Sequence, residues 1–133
     1  MDFFKKPVPA TKKTILIVDD EEDFCHLLKL NLEETKRFDV LVAHNGPDAI
    51  DIAIHHHPSL ILLDIIMPKM TGTEVAEVLR NNASTQNIPI IFVTAIVKRS
   101  EMGASEYQIG RNYFMFKPIR FDELIREIGT KIR

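Results

Sequence analysis

No stretch of this 133-residue sequence approaches the roughly 18 consecutive apolar residues a bilayer-spanning helix needs, so no membrane association is expected. Cysteine is nearly absent. The one copy, Cys25, cannot form an internal disulfide, and its neighbours Phe24, Leu27 and Leu28 suit a small buried hydrophobe better than a redox centre. The formal net charge is -2 and Lys and Arg are scattered along the chain, so the basic patch that nucleic-acid binding requires is missing. The opening residues, MDFFKKPVPATKK, lack the apolar core and small-residue cleavage site of a secretory signal, and a cytoplasmic location is expected.

What is present is an ordinary globular composition, 45% hydrophobic and 27% charged, in a length that suits one domain with a core of its own. Residues 1–13, with Pro7 and Pro9 among charged neighbours, read as an extended arm or linker, and the domain proper is expected over 14–133. From Thr14 the chain alternates short apolar runs with segments of helical spacing. TILIV precedes a helix with Phe24, Leu27, Leu28 and Leu32; VLVA precedes PDAIDIAIHHH; LILL precedes TEVAEVLRNN; IPIIFV precedes a polar segment; YFMF precedes FDELIREIGTKIR. The polar segment, Lys98 to Ile109, is the weakest helix of the five, because Ser100, Gly103 and Ser105 lower its propensity. ILIV, LILL and PIIFV are apolar without alternation, as strands covered on both faces must be. The expected fold is α/β: a doubly wound, five-stranded parallel sheet with right-handed crossovers.

In such a sheet every strand ends at the same edge, where open α/β folds bind ligands. Strand one runs into Asp19 and Asp20, strand three into Asp64, strand four into Thr94 and Ala95, strand five into Lys117 and Pro118. Three acids converging on one pocket call for a cation. Hard carboxylate oxygens with room for water suit Mg²⁺, with Lys117 as a further positive charge. A strand-end Asp carboxylate can attack phosphorus and hold the group as an aspartyl phosphate, with Thr94 bonding a phosphoryl oxygen.

With IVDDEED, LLDIIMPKMTG, FVTA and FKP in this order and spacing, and Gly72 eight residues after Asp64, the chain resembles a bacterial two-component response-regulator receiver domain, of the chemotaxis-regulator type. The resemblance implies a flavodoxin-like (βα)5 fold with strand order 2-1-3-4-5. It implies Asp64 as phosphoacceptor and a Mg²⁺ ion held by Asp20, Asp64 and the backbone carbonyl of Ile66, with Asp19 acting through a bound water. Thr94 and Ala95 would contact the phosphate, Lys117 would pair with it through a cis Lys117-Pro118 turn, and Phe114 would be the aromatic that changes rotamer. The implied partners are a sensor histidine kinase or phosphotransfer protein and a downstream target or fused output domain, met through the surface around the fourth helix, fifth strand and fifth helix. The chain would be a signalling module, either free-standing or part of a longer regulator or hybrid kinase.

The sequence departs from common family patterns in having Phe rather than Tyr at 114, and in lacking the usual arginine placement of the winged-helix subfamily in the last helix. Positions 66 and 96, which flank the site, are both isoleucine, and two apolar side chains cannot orient an attacking water, so a long-lived phosphoryl group is expected. Two other readings compete. A haloacid-dehalogenase-like phosphatase would want an Asp at position 66 as general acid, and a pseudo-receiver acting only as a binding module would not need the acids, Thr94 and Lys117 together. The triplet His55-His56-His57 points in different directions on a helix and suits the C-terminal dipole better than a metal. His26 reads as structural, and Asp19-Asp20-Glu21 taken alone could be a helix cap.

Overall fold

The computed structural model describes residues 12–95 and 113–132. Its strands are β1 (Lys13–Val18), β2 (Phe38–Ala43), β3 (Leu60–Leu63), β4 (Ile90–Ala95) and β5 (Tyr113–Lys117), and its helices are α1 (Glu22–Glu34), α2 (Gly46–His56), α3 (Gly72–Arg80) and α4 (Phe121–Lys131). The strands form one all-parallel sheet in the order β2-β1-β3-β4-β5, as expected. β1 starts at Lys13, one residue before the expected boundary. Residues 1–11 and the weak helix expected from Lys98 to Ile109 lie outside the described residues, as does Ile96.

Period-two alternation in the strands feeds two cores. Leu16, Val18, Ile61, Leu63 and Phe92 face one way and pack with Ala49, Ala53, Val75 and Leu79 of α2 and α3. Ile15, Ile17, Leu60, Leu62, Ile91 and Val93 face the other way, against Cys25, Leu28 and Leu32 of α1 and Leu124 and Ile128 of α4. Covering both faces explains why these runs carry no polar residue: each fully buried Leu or Ile contributes about 1.5–3 kcal/mol of transfer free energy. Cys25 is buried, as its neighbours suggested.

Helix ends are set by local chemistry. Asn45 caps α2 by accepting from the Asp48 N–H at 2.9 Å, and Pro47 follows in the first turn, where its missing N–H costs nothing. α3 begins in a capping box: the Thr71 N–H donates to Glu74 Oε1 at 2.8 Å and the Glu74 N–H donates to Thr71 Oγ1 at 3.2 Å. α1 is different, for its N-cap residue, Glu21, makes no side-chain capping bond.

Candidate functional site

The parallel ladder does not stop at the ends of the strands. The Asp19 N–H donates to Ala43 O at 3.1 Å and the Asp64 N–H donates to Val18 O at 2.9 Å, so both acids are fixed by one further rung of sheet hydrogen bonding. Asp19 is 1% exposed and Asp64 6%, a degree of burial that a carboxylate tolerates only with compensation. Asp20, the next residue, is exposed. One carboxylate oxygen from each of the three lies within 4.8 Å of the others.

The compensation is partial. Lys117 Nζ, at the end of β5, stands 2.8 Å from Asp19 Oδ2 and 2.5 Å from Glu21 Oε1, with the Phe24 ring centroid 4.2 Å away. The Glu21 N–H donates to Asp19 Oδ1 at 2.9 Å. Burial lowers the Lys117 pKa, but the hydrogen bonds and charges of its acidic neighbours outweigh it and the net shift is upward. Among the described residues Asp64 has no comparable partner. Burial first, and then the Asp19 charge, raise its pKa from 3.8 to about 6 against the opposing pull of Lys117, the Thr94 hydroxyl and the Ile66 N–H. Thr94 is fully buried, and its Oγ1 makes no well-formed hydrogen bond among the described residues.

Among the described residues, three clustered carboxylates face one largely buried ammonium and form an oxygen-rich pocket short of positive charge. A hard divalent cation such as Mg²⁺ fits that donor set, and Asp19, Asp20 and Asp64 could hold it. The raised Asp64 pKa also has a consequence for the metal-free protein. An acid whose folded pKa exceeds its unfolded value stabilises the fold below the unfolded pKa and loses that contribution as pH rises through the folded one. In chelator-containing buffer, the stability of the wild type relative to Asp64→Asn should therefore fall between pH 3.8 and about 6, by on the order of 3 kcal/mol. Thermal melts of both proteins across that range measure it, and a constant difference would contradict it.

The expected residues mostly converge. Asp19, Asp20, Asp64, Thr94 and Lys117 meet at one sheet edge, with Ala95 exposed at the end of β4. The Ile66 side chain is 58% exposed. Phe114 is half-buried and stacks on Phe92, centroids 5.3 Å apart, whereas Phe116 is exposed. The Lys117-Pro118 peptide is cis. His26 and the three consecutive histidines are exposed, and His55 pairs with Asp51 of its own helix. Sequence reasoning missed Glu21 and Phe24 as partners of Lys117. It also missed that the Asp19 carbonyl receives both Cys25 Sγ at 3.3 Å and His44 Nδ1 at 3.0 Å. The Asp-Asp-Glu run was a signal for Glu21, but one equally consistent with a helix cap.

A five-stranded parallel sheet with an acidic pocket and a lysine at its C-terminal edge defines the chemotaxis-regulator-like class of flavodoxin fold. The chain belongs within it to the response regulator receiver domain family, which matches residues 15–129. It is 35% identical over 111 residues to response regulator Rre1 of Synechocystis sp., covering 84% of this chain and 48% of that protein. It is 33% identical over 118 residues to the polar-differentiation response regulator DivK of Brucella ovis, covering 89% and 94% respectively. The chain thus spans about half the length of Rre1 but nearly all of DivK. Among solved structures, chemotaxis protein CheY4 of Vibrio cholerae superposes with a TM-score of 0.80 at 21% identity, over 92% of this chain and 100% of that one. A putative response regulator from Chloroflexus aurantiacus matches with a TM-score of 0.80 at 25% identity, over 90% and 97%. Receiver domains are signalling modules of two-component systems and, as a class, not enzymes. No described helix is long and apolar enough to cross a membrane.

Proposed function

We propose that the protein accepts a phosphoryl group on Asp64 and passes the signal on by altering its binding surface. The observation that carries this is Asp64 itself: a nearly buried carboxylate at the end of a central strand, its oxygen within 4.8 Å of those of Asp19 and Asp20. In the step envisaged, an Asp64 oxygen attacks the phosphorus of the donor, the donor's bond to phosphorus breaks, and the leaving group departs with the electron pair. The donor in the cell would be a histidine kinase or phosphotransfer protein, as is general for this family. Asp20, Asp64 and the Ile66 carbonyl would hold Mg²⁺, with Asp19 acting through water; bound there, the ion would neutralise charge on the transferring oxygens. Lys117 would supply the second positive charge, and Thr94 and the Ala95 backbone would meet the phosphoryl oxygens. Ile66 and Ile96, being apolar, would leave an attacking water unassisted and lengthen the life of the acyl phosphate.

Acetyl phosphate tests the proposal directly. Intact-mass analysis should show one phosphoryl group added in the presence of Mg²⁺ and none with chelator, and an unmodified protein under both conditions would refute it. Mg²⁺ should also raise the melting temperature, because a ligand that binds only the folded state stabilises it by mass action.

Thr94 and Phe114 would form the response. Among the described residues the buried Thr94 hydroxyl finds no well-formed hydrogen bond, so Thr94→Val should change stability by no more than about 1 kcal/mol. The variant should still accept phosphate but show little of the wild-type spectral change at Phe114 and Phe92 on phosphorylation. A full wild-type change would rule out Thr94 as the link.

A further inference from the structure

Glu21 occupies the N-cap of α1, a position that favours Ser, Thr, Asp or Asn because a short side chain can reach back to the helix N–H groups. Glutamate is poorly suited to this and makes no such bond. Its carboxylate instead meets Lys117, 96 residues away in the chain, at 2.5 Å. The Lys117 side chain is 15% exposed and that of Glu21 63%, so the contact joins a nearly buried ammonium to a carboxylate in solvent. Asp19 takes a second side of the ammonium and the Phe24 ring lies 4.2 Å from it. Lysine has three N–H donors. One of them goes to Glu21, and while that contact holds, with the ion pair to Asp19 Oδ2 beside it, the ammonium is less available to anything arriving at Asp64.

We infer that Glu21 is a positioning residue that restrains Lys117: its carboxylate holds the ammonium toward solvent while Asp64 is unmodified, and an incoming phosphodonor must compete with it. The inference rests on Asp64 being the phosphoacceptor and adds a determinant of how readily that site is filled. Glu21 does not touch the reacting atoms. It acts through Lys117, and its influence should vanish when Lys117 cannot respond. The backbone bond from Glu21 N–H to Asp19 Oδ1 does not involve the Glu21 side chain, so substitution there leaves that anchor of the acidic pocket in place.

The experiment is a double-mutant cycle read as the rate constant for modification by acetyl phosphate with Mg²⁺, followed by intact mass. Glu21→Gln should raise the rate about two- to five-fold, the range expected for releasing one partly exposed ion pair. Glu22→Gln, which removes an equal charge at the next, exposed position, should leave the rate unchanged. In a Lys117→Met background, where labelling is followed over hours, Glu21→Gln should have no effect. An unchanged or slower rate for Glu21→Gln overturns the inference while continued labelling of Asp64 leaves the phosphoacceptor reading intact. An equal acceleration in the Lys117→Met background also overturns it, since Glu21 would then act only by repelling the anionic donor. Absence of labelling in the wild type would remove both.

Discussion

Asp64→Asn should reduce labelling by acetyl phosphate to background while raising the stability of the metal-free protein at neutral pH. The two effects share one cause. The amide is nearly isosteric with the carboxylate and keeps the Asp64 N–H to Val18 O bond, so the strand end stays where it is. It cannot act as the nucleophile, and it carries no charge to be repelled by Asp19 in a pocket where burial already pushes the acid up to about 6. Intact mass and a neutral-pH melt with chelator check both halves. Incorporation at wild-type levels would show that another residue accepts the phosphoryl group.

Gly72→Ala should be the most damaging small substitution in the described structure. A Cβ at Gly72 would stand 2.0 Å from the Asp64 carbonyl oxygen and 2.9 Å from Ile65 Cα, all backbone atoms that cannot swing aside. The Gly72 N–H also donates to Ile65 O at 2.8 Å, so α3 begins pressed against the segment that carries Asp64. Relieving the overlap means moving that segment, at a cost of about 3 kcal/mol, or a melting temperature lower by roughly 10 °C. The displaced Asp64 should also label more slowly. Gly129→Ala is the contrasting case, because nothing lies within 4 Å of its added Cβ; there the better helix former should add about 0.5–1 kcal/mol. If Gly72→Ala melted with Gly129→Ala, the close approach at Asp64 would not constrain the site.

The sheet and the convergence of its acids were legible in the sequence because they follow from period and position. Runs such as ILIV and LILL are apolar at every residue only when both faces are covered, and in a parallel sheet the residue after each run must lie on the shared edge. Position alone thus brings Asp19, Asp64, Thr94 and Lys117 to one edge. The partners of Lys117 were not legible. Whether Glu21 caps its own helix or turns to the lysine that ends β5 depends on side-chain direction and reach, which spacing does not encode. The exposure of Phe116 was not legible either: β5 is an edge strand, so apolar residues there need not be covered on both faces as they are in β3.

The extra rung of hydrogen bonding at Asp19 and Asp64 ties the acids to the part of the molecule that opens least. Either can leave its place only if β1 parts from β2 or β3, a cooperative event that costs a large share of the global stability. Lys117 ends the edge strand, directly after the exposed Phe116, and among the described residues that strand is paired on one side only. The division is therefore mechanical: Asp19 and Asp64 follow inner strands that are paired on both sides, and Lys117 ends an outer one.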